Sequence, residues 1–152
     1  MEKPIRLNLA CADKYWPGFD NRAEVDLLNL PDADNSADEI HLIHVFEHLH
    51  RNQIGDYLEE WGRVLKPGGM LVLELPLMDK ICQLILSGET NLQKTLLGVF
   101  GDIAHKDPLM KHQWCYTRAD LEHVLAGWEV TFMEPVYHLK ERDIRVECRR
   151  KE

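Results

Sequence analysis

Between Gln53 and Leu75 the sequence writes a helix, a stop and a buried strand in immediate succession. Ile54, Tyr57, Leu58, Trp61, Val64 and Leu65 recur at spacings of three and four, which aligns them in one apolar stripe of a helix over Gln53–Leu65. Lys66-Pro67-Gly68-Gly69 ends it: proline cannot continue a helix, and glycine takes the positive φ of a tight turn. Met70–Leu75 follows as a nearly continuous apolar run, the pattern of a strand covered on both faces. A helix that feeds such a strand belongs in a mainly parallel α/β sheet.

The flanking segments extend that reading. Ile5–Ala10 alternates as a strand, Asp13–Asn21 with Trp16-Pro17-Gly18 is a loop, and Ala23–Leu28 is a second short strand. Pro31–Asp38 is a turn and Glu39–His44 a third strand. A second helix covers Asp79–Leu86, whereas Ser87–Trp114 mixes helix-like and loop-like signals. Thr117 caps a helix running to about Ala126, with Glu122 among the acids of its early turns. Trp128–Pro135 and Asp143–Arg149 are closing strands, antiparallel because no crossover fits between them. The expectation is one domain over residues 1–152, a mainly parallel sheet flanked by helices with an antiparallel terminal strand pair.

Charge narrows the partners. Eighteen Lys and Arg against 26 Asp and Glu leave a net charge of −8, which gives no bulk attraction to duplex nucleic acid or anionic membranes. No apolar run is long enough to span a membrane, and the charged Met1–Arg6 stretch does not read as a signal peptide. Cys11, Cys82, Cys115 and Cys148 are scattered without a CxxC pair, so a reducing cytoplasm is the expected compartment. The free edge strand or the long middle segment would let two copies pair as a homodimer.

Ligands of open α/β sheets bind at the carboxyl ends of the strands. That rule selects Leu9–Asp13, where small residues admit a ligand to the backbone, Asp26–Leu30 with its carboxylate, His44–His50, and Leu75–Met78. The motifs at these places resemble those of class I S-adenosylmethionine-dependent methyltransferases. Leu7-Asn8-Leu9-Ala10-Cys11-Ala12 is similar to that family's Leu-Asp/Asn-Leu-Gly-Cys-Gly. Asp26 through Leu30-Pro31 to Asp34-Asn35-Ser36-Ala37-Asp38-Glu39-Ile40, then His44-Val45-Phe46-Glu47-His48-Leu49, Arg63-Val64-Leu65-Lys66-Pro67-Gly68-Gly69 and Leu73-Glu74-Leu75-Pro76, resemble successive family motifs. The likeness covers about half the chain, and Thr117–Trp128 agrees loosely with a later family helix.

The resemblance implies a Rossmann-like methyltransferase fold with a trimmed N-terminal half. It also implies methyl transfer from S-adenosylmethionine, leaving S-adenosylhomocysteine, to a small or glycan-type acceptor. The glycan class is implied because compact members with these motifs often accompany polysaccharide synthesis. Asn8 and Leu9 would lead into a loop, Ala10, Cys11 and Ala12, around the methionine end of the cofactor. Asp26 and Leu27 would meet the adenine, and His44 would sit by the sulfonium. Two departures stand out. Both family glycines are alanines here, which costs about 1 kcal/mol at any site that needs positive φ. The strand whose acid binds the ribose hydroxyls is trimmed, leaving Asp20 as the nearest acid and Glu24 as the alternative.

His44, His48 and His112 are the catalytic candidates, since an imidazole suits proton removal near neutrality. Cys11 is expected to pack rather than react. Two other functions remain open. One is a degenerate methyltransferase fold with weak or no cofactor binding, serving as a partner-binding or regulatory subunit. The other is a metal-dependent O-methyltransferase using His44, Glu47 and His48, because some such enzymes carry Glu-x-x-Glu-His at this place. A hydrogen-bond network, with no metal and with His41 turned to the other side of its strand, is the expected arrangement.

Overall fold

The computed structural model describes residues 3–88 and 91–151. Its sheet has six strands in the order β2-β1-β3-β4-β6-β5: β1 Arg6–Leu9, β2 Asp20–Arg22, β3 Ala37–Ile43, β4 Leu65–Pro76, β5 Glu129–Met133 and β6 Asp143–Arg149. The first four run parallel, and β6 lies antiparallel to both β4 and β5. Helices α1 Ile54–Val64, α2 Met78–Ser87, α3 Leu92–Phe100 and α4 Arg118–Val124 flank the sheet. The expected mixed architecture and antiparallel closing pair are therefore present. No helix among the described residues is long and apolar enough to cross a membrane.

Register explains the core. Leu7 pairs with Ile40, Ile40 with Leu71 and Leu71 with Cys148, while Leu42, Leu73 and Val146 form the next row. Side chains alternate along a strand, so these in-register rows put one continuous apolar surface on one face. Ile54, Leu58, Trp61 and Val64 of α1 and Leu121 of α4 belong to the same buried cluster. Trp61 is fully buried, and its indole N–H is satisfied by the Leu27 carbonyl at 3.1 Å.

The opposite face is polar. Arg6 meets Glu39 at 3.4 Å, and Arg145 bridges Glu74 at 3.2 Å and Glu147 at 2.9 Å. The backbone N–H groups of Val136 and Tyr137 donate to Glu74, which is wholly buried. Trp16 and Phe19 meet the His41 ring edge-on, and Tyr137 stacks on Trp16 at 4.5 Å. His41 does face away from the core, as its place in the strand requires.

Three segments differ from the sequence reading. Ala23–Leu28 is not a strand; β2 lies earlier, at Asp20–Arg22. Asp26 instead forms a turn, accepting the Leu28 N–H at 3.0 Å, which lets Leu27 sink beneath Trp61. Lys66–Gly69 ends α1 but already belongs to β4, as an irregularity in its pairing with β3. Gly68 takes φ 74°, as a turn there requires. Within Ser87–Trp114, α3 is a full helix, followed by a short 3-10 turn at Pro108–Met110. The Thr117 cap is present and is closed reciprocally by Asp120 rather than by Glu122.

Burial, followed by the charges of Arg145 and Arg6, lowers the His41 imidazole to about 4. The unfolded group, with its ordinary value near 6.5, binds a proton that the folded one refuses. Stability is therefore expected to fall between pH 6.5 and 4, by at most roughly 3 kcal/mol from this group. Urea unfolding across that range checks it: His41→Gln should flatten the slope, and an unchanged slope would contradict the assignment.

Candidate functional site

The carboxyl ends of β1, β3 and β4 open at one edge of the sheet. After Leu9 the chain turns through Ala10 and Ala12, at φ 50° and 49°. Alanine rarely adopts this left-handed conformation, so surrounding bonds must hold it. Asn8 does so from the polar face, donating to the Lys14 carbonyl at 2.9 Å and to Asn21 Oδ1 at 2.8 Å. Asn21 Oδ1 also accepts the Trp16 N–H, and its amide donates to the Trp16 and Phe19 carbonyls. Asn8 thus acts on the loop, and Leu9, fully buried in the core, offers the site only its backbone. Cys11 is buried, and its thiol is raised by that burial, consistent with a packing role.

Asp26 is exposed on its turn, next to buried Leu27. Glu60 accepts the Leu30 N–H at 2.7 Å, and Arg63 holds the Leu30 and Asp32 carbonyls, so α1 fixes this segment. Asp20 stands at the amino end of β2, paired with Leu7, and its carboxylate is taken by Arg22 at 2.6 Å. Glu24 lies two residues beyond the carboxyl end of that strand. The sequence's first choice of acid therefore opens the strand rather than closing it, because β2 begins three residues earlier than the expected strand.

β3 delivers His44, at φ 54°, with its N–H bonded to the Glu74 carbonyl. Nδ1 lies 2.9 Å from Glu47 Oε1, and Nε2 lies 3.1 Å from Asp143 Oδ2. Both carboxylates are buried. Burial alone would lower this imidazole; the hydrogen bond to Asp143 and the close ion pair with Glu47 outweigh that effect and raise it to about 9. Asp143 is also desolvated, yet His44 and Arg142 hold it at about 2. The ring of His138 packs on His44 at 3.9 Å. With both nitrogens engaged, His44 has none left to take a proton from an acceptor molecule.

His48 and His112 differ. The carbonyls of Lys111 and Gly98 lie 3.1 and 3.0 Å from their respective Nδ1 atoms. Their rings meet edge to face at 4.7 Å, and His112 Nε2 is 4.0 Å from Glu47 Oε1. The segment carrying His112 is tied down because the Gln113 and Trp114 N–H groups donate to the Glu47 carbonyl. Trp114 remains 42% exposed at this rim, with Arg51 5.6 Å from its ring center.

The site thus gathers His44, His48 and His112, as expected, around Glu47. It adds Asp143 and His138, which the sequence reading missed. A signal for Asp143 existed: the first residue of a strand antiparallel to β4 must lie at the carboxyl end of β4, and Asp143 pairs with Pro76.

A family model described as a methyltransferase domain matches residues 9–73. No curated protein matches the sequence. Among solved structures, an S-adenosylmethionine-dependent methyltransferase of Methanosarcina mazei is 17% identical, with TM-score 0.59 over 88% of this chain and 66% of that one. One from Archaeoglobus fulgidus is 12% identical, with TM-score 0.61 over 97% and 86%. A protein of Pyrococcus horikoshii is 13% identical, with TM-score 0.62 over 99% and 83%. This chain therefore spans about two thirds of the Methanosarcina protein and more of the other two. Motif match and sheet order together show that the chain carries a methyltransferase-domain match over residues 9–73 and has the fold of S-adenosylmethionine-dependent methyltransferases.

Proposed function

We propose that this chain binds S-adenosylmethionine at the carboxyl edge of its sheet and transfers the methyl group to a small or glycan-type acceptor. The observation that carries the reading is the loop after β1. Ala10 and Ala12 stand where the family has glycines and keep a left-handed backbone there, so the cradle survives despite two added methyl groups. The exposed Asp26 carboxylate suits the exocyclic amine of adenine, with Leu27 beside it as apolar floor. Glu24 is better placed than Asp20 for the ribose hydroxyls.

The bound cofactor supplies an activated methyl group on a sulfonium. The chain's own work is to hold donor and acceptor in line, which accounts for much of the rate of such displacements. His44 is a positioning group. Glu47, Asp143, His44 and Arg142 together carry balanced charge, so the cluster presents no excess positive charge to a sulfonium. His48 and His112 line the acceptor side, and the exposed indole of Trp114 suits the C–H face of a sugar. The glycan class rests on that surface and on the sequence resemblance. A location in the cytoplasm and a homodimer remain parts of the same proposal.

Calorimetric titration with S-adenosylmethionine and S-adenosylhomocysteine tests the reading. The expected result is micromolar binding, about −8 kcal/mol, weakened at least tenfold by Asp26→Ala and by Glu24→Ala but not by Asp20→Ala. Absence of heat and of thermal stabilization at millimolar ligand would overturn it and favor the degenerate, partner-binding fold.

A second expectation concerns the cradle itself. Ala10→Gly and Ala12→Gly should each stabilize the protein by about 1 kcal/mol, since relief of left-handed strain outweighs the added freedom of the unfolded chain. For a chain of this size that raises Tm by roughly 2–4 °C per substitution. A lower Tm in both variants would mean that the alanine methyls are needed for packing.

A further inference from the structure

Glu47 is 1% exposed, and neither of its carboxylate oxygens receives a well-directed hydrogen bond; His44 Nδ1 is close but off the bonding line. Around it, ligand-capable atoms of Glu47, His48 and His112 all lie within 4.8 Å of one another. The tautomers follow from the partners. A carbonyl can only accept, so the Lys111 and Gly98 carbonyls fix a hydrogen on Nδ1 of His48 and of His112. Each neutral ring then has a lone pair on Nε2. Two lone pairs and a buried carboxylate converge with no donor among the three.

The neighboring set of His44, His138 and Asp143 is also compact, but there the need is already met. Arg142 donates to both oxygens of Asp143, at 2.6 and 3.1 Å, and His44 reaches Oδ2 as well. Glu47 has no guanidinium of its own and shares the single imidazole of His44 with Asp143, so its trio of acceptors is the one with room for a further cation.

We propose that Glu47, His48 and His112 form a zinc site. Two imidazoles and one carboxylate are a zinc donor set with a fourth position open, and a magnesium or calcium ion would call for more oxygen. Ring N–H bonds to backbone carbonyls are the usual outer support of histidine ligands. Tetrahedral zinc needs ligand atoms roughly 3.3 Å apart, so the three side chains close in by about an ångström. The ligand set differs from the alternative trio of His44, Glu47 and His48 weighed from sequence, where no metal was the expectation, because His44 is held by Asp143 and His112 takes its place. The ion would fasten the segment around His112 to the turn after β3, adding to the two backbone bonds that Gln113 and Trp114 make to Glu47. The inference concerns binding alone and stands whether or not methyl transfer is confirmed.

Chelator-stripped protein is titrated with Zn²⁺ against a chromophoric chelator, and with Co²⁺ while its visible absorption is read. The expected result is one ion per chain, a four-coordinate cobalt spectrum, and at least tenfold weaker binding in both His48→Ala and His112→Ala. His50→Ala serves as the control, because His50 is exposed and outside the cluster. His48 is only partly buried, so its variant keeps the test readable if His112→Ala disturbs the fold. No zinc uptake by the wild-type chain, or equal affinity in His48→Ala and His50→Ala, would overturn the site.

Discussion

The antiparallel placement of β6 on β4 sets both the core and the site. Its register, Leu71 with Cys148, Leu73 with Val146 and Leu75 with Ile144, carries the apolar rows of the parallel strands across to the closing pair. A shift of one residue would turn Ile144, Val146 and Cys148 to the polar face and Arg145 and Glu147 into the core. The same register ends at Pro76 with Asp143, which brings a buried carboxylate from the last strand to the edge where the parallel strands finish. Packing and chemistry are therefore coupled through one ladder of hydrogen bonds.

That coupling explains why buried charge is tolerated beside the crevice. An isolated carboxylate at the position of Asp143 would be very costly to desolvate. Here Arg142 and His44 share it, and Glu47 takes the other side of the imidazole. Removing His44 would leave two buried carboxylates with one cation between them. The cluster therefore fixes the turn after β3 as a unit, and His44 at φ 54° is strain that these partners support. The polar face of the sheet follows the same logic on a smaller scale, with Glu74 bound by Arg145 and two backbone N–H groups.

Much of this was legible in the residues. The stripe from Ile54 to Val64, the break at Lys66–Gly69 and the apolar run after it are local signals, and α1 and the central part of β4 lie where those signals put them. His44 and His48 were legible as well, since strand ends are found by the same periodicity, whereas His112 lies in the segment before α4, where no strand marks it. β2 was misplaced because three residues, Asp20–Arg22, carry almost no pattern, and their pairing is imposed by the Asn8–Asn21 contact across the ladder. Helix α3 was obscured because its apolar residues are largely exposed, Leu92 at 54% and Phe100 at 52%, so no single buried stripe marks it. Asp143 and His138 were missed because their roles depend on contacts made across most of the chain, such as His44 with Asp143.

The loop after β1 shows how far local rules can be overridden. Glycine is the ordinary residue for two left-handed positions in so short a span. This chain has alanine at both and keeps the conformation through bonds around the turn: Asn8 under the loop, Asn21 across the ladder, and Lys14, whose N–H donates to the Cys11 carbonyl and whose carbonyl accepts from Asn8. The strain, about 1 kcal/mol per alanine, is small beside a network of five side-chain hydrogen bonds centered on two asparagines, each worth roughly 1 kcal/mol. The fold therefore retains the left-handed backbone of this loop while relaxing the residue that usually provides it. The polar pair beneath the loop is the more fundamental requirement: Asn8→Ala would remove the bonds to Asn21 and to the Lys14 carbonyl together, leaving the long Cys11 N–H bond to the Arg22 carbonyl as the link of the turn at Ala10 and Ala12 to β2.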